Sequence, residues 1–234
     1  WTDSSRTNYW GDCKGNSGIT FATGRSVYWN LFGVINWSSI SWSLSSGGTP
    51  AADNFPLAQD TAVFDDASSV TGTISINAAW HIGTVNMSSR TAAMTMQNNS
   101  NCLIYGDWRN GSGVTVSGTG NFNFTGRTTQ TIAGAGKTFT QLLNISSPLG
   151  TVVLDGALTI SNTFSLSLGT LNLSNNVLTA LTFTSTGTAT RAIQFGTGNI
   201  TVTGSGGSLY NFNGTNFSYT GTPTVNISNN SATA

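Results

Sequence analysis

One histidine limits what chemistry this chain of 234 residues can do. Any Ser-His-Asp or Cys-His arrangement has to be built around His81, and two imidazoles cannot meet on one metal ion within a single chain. His81 lies in Ala79-Trp-His-Ile82, at the start of an expected strand and with no nucleophile motif beside it. It reads as a structural or surface histidine. Asp65 and Asp66, with Asp53 and Asp60 nearby, are the densest group of acids. Paired carboxylates serve glycoside hydrolysis, and such a cluster also suits Ca²⁺ or the capping of turns through Asx hydrogen bonds. Turn capping is the expectation, and the repeated Ca²⁺-binding pattern G-G-x-G-x-D does not occur.

Gly134-Ala-Gly-Lys-Thr138 ends like a phosphate-binding loop, but the full pattern needs glycine where Thr131 stands. No strand-loop-helix context surrounds it, so a tight turn is expected there. Cys13 and Cys102 match no metal-ligand spacing, and their separation leaves open whether they pair. N-x-[ST] sequons, for example at Asn36, Asn86, Asn144, Asn199 and Asn226, are as common as chance allows in so polar a chain. No cofactor and no metal are expected.

Aromatic residues carry the remaining signal, because sugar rings stack on flat aromatic faces beside polar side chains. Trp80 with His81, Trp108 with Arg109, and Tyr210 and Tyr219 with Phe212 and Phe217 are the candidate glycan contacts. The competing reading places these rings in the core or at its end.

The elements that must position them follow from composition. Only 7% of residues are charged, eight basic against eight acidic, and every acid is Asp. Such a chain lacks the clustered Lys and Arg that nucleic acids or anionic membranes require. Beyond Asp155 the only charged side chain is Arg191. Few helix formers, abundant Thr, Val, Ile and Phe, and 28 Gly favour strands joined by tight turns. There is no apolar run of the length a membrane-spanning helix needs. A chain that begins at Trp1 reads as a processed product or a piece of something longer.

Five of the seven tryptophans fall before residue 43, followed by the loop-like Ser45-Ser-Gly-Gly-Thr-Pro-Ala-Ala52. Residues 1–59 are therefore expected to form a Trp-rich β cap and residues 60–234 a repetitive array. From Val63 onward short alternating segments recur, including Thr73-Ile-Ser-Ile76, Val114-Thr-Val116, Leu158-Thr-Ile160 and Leu171-Asn-Leu173. Alternation puts apolar members on one face and Ser, Thr or Asn on the other. Runs this short cannot each support a sheet, but stacked coils bury them along one axis. We expect an all-β parallel β-solenoid of about six three-stranded coils, with a β-sandwich or jelly roll as the rival. Gly83-Thr-Val-Asn-Met-Ser88 echoes Gly169-Thr-Leu-Asn-Leu-Ser174, and Gly118-Thr-Gly-Asn-Phe122 echoes Gly196-Thr-Gly-Asn-Ile200. Ile74, Ile76, Val85, Met87, Leu158, Ile160, Leu171 and Leu173 should point inward.

Val27-Tyr-Trp29, Asn36-Trp37, Trp42-Ser-Leu-Ser-Ser-Gly-Gly48, Pro56, Asp60-Thr-Ala-Val-Phe-Asp65 and Gly72-Thr-Ile-Ser-Ile76 occur in a suggestive order. That order resembles the pattern of large repetitive surface proteins of bacteriophages and some bacteria. Gly106-Asp-Trp108 and Lys137-Thr-Phe139 are similar to their rung repeats. The family's W-V-G-G step is replaced here by Trp29-Asn-Leu-Phe-Gly33. The resemblance covers most of the chain from about residue 25. It implies placement on a virion or extracellular surface and brings no catalytic residue. The chain is expected to be no enzyme but a structural or adhesive protein: a fibre, appendage or capsid decoration. Its expected partners are copies of itself or other assembly subunits, with host glycans as ligands. A β-solenoid polysaccharide lyase or hydrolase and a bacterial adhesin are the alternatives.

Overall fold

The computed structural model describes residues 2–3, 11–31, 33–67, 72–206 and 209–228. The chain is all-β, a parallel β-solenoid of about seven turns. Its one short helical turn among the described residues is Ala52–Asn54. Each full coil lays down three strands, and each pairs in parallel with its counterpart one coil later.

Three faces result. The first carries Gly33–Asn36, Gly72–Ile76, Met94–Asn98 and Val114–Ser117. It continues with Thr138–Phe139, 158–160, 177–180, Asn199–Val202 and Val225–Ile227. The second runs from His81–Ile82 through Cys102–Ile104, Phe122–Phe124, 143–145 and 164–166 to 183–185 and Tyr210–Phe212. The third begins with Ser26–Trp29, Thr61–Val63, Thr84–Asn86 and Trp108–Arg109. It ends with Thr129–Ala133, 151–154, 169–172, Arg191–Gly196 and Phe217–Gly221.

Alternation builds the core as expected. Ile74, Ile76, Val85, Met87, Leu158, Ile160, Leu171 and Leu173 are all buried, at no more than 1% exposure. Coil length varies, and the corners absorb the variation: the register advances 22 residues from Ile74 to Met96, 19 from Thr151 to Thr170 and 26 from Arg191 to Phe217. One of the two sequence echoes is therefore not a coil repeat. Gly118 leads from the first face to the second, whereas Gly196 leads from the third to the first. What recurs is a way of turning a corner.

The tryptophan-rich segment is not set apart from the array. Ser26–Trp29 pairs with Thr61–Val63, and Gly33–Asn36 with Gly72–Ile76, so the ladders cross the expected boundary at residues 59 and 60. This segment is the first coil, which explains a turn more than the alternation from Val63 suggested. It still closes its end of the solenoid. Trp29, Trp37 and Trp42 gather around Phe64 at centroid distances of 5.8, 5.9 and 5.5 Å.

Corners would leave buried carbonyls without partners, and inward-facing polar side chains supply the donors. Gln130 donates to the Ile104 and Gly106 carbonyls and accepts from the Gly126 amide. Asn98 donates to the Gly120 and Asn121 carbonyls, and Asn110 accepts from Trp108 Nε1. Arg191 is fully buried. Its guanidinium donates to the Ala189, Ser185, Asn213 and Thr215 carbonyls and to Ser185 Oγ, which engages all five N–H groups. The backbone opposite it is Gly169, at φ 94°, where an added Cβ would lie 2.3 Å from the Ser147 carbonyl oxygen.

Leu171→Asp should cost on the order of 4 kcal/mol or more in denaturant unfolding, because it places an unpaired charge in the apolar column. An unchanged midpoint would contradict the register. Arg191→Lys, with three donors in place of a five-donor fork, should lose about 2 kcal/mol despite keeping the charge.

Candidate functional site

The structure separates the expected ligand residues. Trp108 is not a platform for a sugar: it is fully buried, with its ring edge-on to Phe122 at 4.7 Å. Its flanking charges misled, because in a strand the neighbours of an inward residue point outward. Arg109, on the outer surface, is paired with Asp107 at 3.0 Å and Asp155 at 3.5 Å. Trp80 packs against Phe55 and the core. Tyr210 stacks on Phe183 at 5.2 Å and so continues a core column. Tyr219 is 58% exposed, at the far end of the solenoid.

Three of the clustered acids, Asp60, Asp65 and Asp66, cap turns. Asp60 accepts from the Arg25 and Leu57 amides, and Asp65 from the Ala67 amide in an Asx turn. Asp66 accepts from the Thr91 and Ala92 amides and from the Thr91 hydroxyl, with the Arg90 guanidinium at 3.4 Å. The Thr91 hydroxyl, more than any other group, holds this carboxyl below its ordinary range. Gly134-Ala-Gly-Lys137 closes a tight turn, with Ala135 at φ 51°, Gly136 at φ 71° and Lys137 N donating to the Gly134 carbonyl. Positive φ at both central positions is a hairpin-type turn, not a phosphate cradle.

His81 meets a partner that its sequence position did not reveal. Cys13, 68 residues away, brings Sγ within 3.2 Å of His81 Nδ1. The imidazole lies flat against Tyr105 at 5.6 Å, and the tyrosine hydroxyl shares a hydrogen bond with the thiol. Burial pushes the thiol up and the imidazole down, so both partners are held neutral. A nucleophilic cysteine needs the opposite, a thiolate beside a cation. The trio fastens the segment around residues 11–16 to the outside of the second face, assisted by Gln59 Oε1 accepting from the Asp12 amide. Cys102 is buried in the core, and both cysteines are free.

No family model, curated protein or solved structure matches this chain.

Because burial lowers the His81 pKa below its ordinary 6.5, the folded state gains this proton later than the unfolded state on acidification. This contact's contribution is therefore lost as pH falls from 6.5 towards the folded value. An NMR titration of the single imidazole should place its midpoint below 6.5. Cys13 should alkylate more slowly than a free thiol at mildly alkaline pH. Cys102, pushed up to about 12 by burial, should react only on unfolding. Comparable rates for both cysteines in the folded protein would contradict this burial.

Proposed function

We propose that this chain is a structural module of an extracellular or virion-surface assembly, joined through the open end of the solenoid to another chain or to a continuation of this one. The observation that carries the reading is the contrast between the two ends. Tryptophans close the first coil. In the last, the positions that point inward elsewhere meet solvent: Phe212 is 40% exposed, and Tyr219 and Ile227 are each 58% exposed. Their strands pair with the coil before and with no later coil among the described residues. An uncovered set of strand edges over an apolar core recruits further strands. No charge stands on this end to oppose association.

The resemblance to repetitive phage and bacterial surface proteins supports the same reading. A structural role fits better than adhesion to host glycans, because Trp108 lies inside and Trp80 packs against Phe55 and the core. The acids that a polysaccharide-degrading enzyme would use are engaged in turns.

Light scattering over a concentration series should show self-association of the wild-type chain. Phe212→Asp with Tyr219→Asp should abolish it without altering the circular dichroism. A wild-type monomer at the highest attainable concentration would overturn the proposal. The same preparations should release no reducing ends from polysaccharides; release that Asp65→Asn or Asp66→Asn abolishes would instead establish the enzyme reading.

A further inference from the structure

The first face carries an ordered array of hydroxyls. One outward row is threonine on seven successive coils. Thr73, Thr95 and Thr115 are register partners, and so are Thr138, Thr159, Thr179 and Thr201. The two runs adjoin where Val114–Ser117 packs against Thr138–Phe139. Two residues further along the same strands, Ser117, Thr140, Ser161 and Thr203 form a second partial row of hydroxyls. The residues between the rows, such as Val116, Phe139, Ile160 and Val202, are anchored in the core.

The geometry of this array is fixed by the backbone. Stacked coils repeat at about 4.8 Å, and two residues along a strand span about 6.7 Å. The threonines are β-branched and stiff at χ1, so each presents a methyl and a hydroxyl in a restricted orientation. Thr73, Thr95, Thr115, Thr138, Thr159 and Thr179 make no side-chain hydrogen bond to protein among the described residues. Their hydroxyls are available to water. Neither row contains a charged or aromatic side chain.

We propose that this face binds the surface of an ice crystal. Its two repeats are close to the oxygen repeats along the two axes of a prism face of hexagonal ice. Hydroxyls at that spacing anchor water, while the methyls between them order the rest of the layer without competing for its hydrogen bonds. Each threonine contributes little, but a rigid array engages all its contacts together and gives up little conformational freedom. Saccharide recognition would call for a stacking ring or a charged side chain, and these rows supply neither. The face is lateral and stays open whether or not the solenoid ends stack.

The full chain should shape growing ice crystals and produce thermal hysteresis in nanolitre osmometry. Thr115→Tyr with Thr159→Tyr should abolish both, whereas Thr129→Tyr, on an outward position of the third face, should leave both intact. If the tyrosine pair lowers the thermal midpoint, Thr115→Ser with Thr159→Ser, which keep the hydroxyls and remove the methyls, should still reduce hysteresis in a folded protein. The proposal is overturned by wild-type protein that leaves crystal shape unchanged at its solubility limit. It is equally overturned by the same loss in Thr129→Tyr, or by an array that retains the chain on crystalline chitin or cellulose and not on ice.

Discussion

Along each unbroken ladder of this molecule, an inward side chain rests on the inward side chain of the coil before it. Parallel, in-register pairing imposes this, because hydrogen-bonded counterparts in successive coils share the same side of the pleat. The core is therefore a set of columns, and each column has to fill its space one coil at a time. Ala62, Val85, Trp108 and Ile132 form one such column, in which a small residue and a large one are two coils apart. Phe164, Phe183 and Tyr210 form another, with rings nearly parallel at 5.7 and 5.2 Å.

The same constraint decides where polar groups go inside. A triangular coil bends three times per turn, and at each bend carbonyls leave the ladder while still shielded from water. Buried amides and guanidinium groups meet that need, so Gln130, Asn98, Asn110 and Arg191 are part of the packing. An apolar side chain of equal volume at Arg191 would fill the space and strand four carbonyls.

Alternation made the solenoid legible from sequence wherever apolar and polar residues took turns, as in Leu158-Thr-Ile160. It was ambiguous where both did not. In Cys102-Leu-Ile-Tyr105 every residue is apolar or aromatic, and the structure turns Cys102 and Ile104 inward while Leu103 and Tyr105 remain partly exposed. Trp108 was obscure for a related reason, since two charged neighbours resemble exposure until the strand is placed. The Cys13–His81 contact joins residues that no local pattern connects. Five of the seven row threonines stand in T-x-[ST] triplets, but only the register within each run and the packing between the two runs bring them into one row.

Arg191 is satisfied entirely by neutral oxygens, in a stretch of sequence that holds no carboxylate, amine, imidazole or thiol side chain from residue 156 to the end. The coils beyond residue 156 are consequently blind to acid and nearly so to salt, since their one cation has neither a proton to lose nor a counter-ion to be screened from it. Acid acts on the chain before them, which carries all eight aspartates and where Asp60, Asp65 and Asp66 cap turns. Acidification therefore bears on the aspartate-bearing coils, and the coils beyond residue 156 hold no group that answers to it.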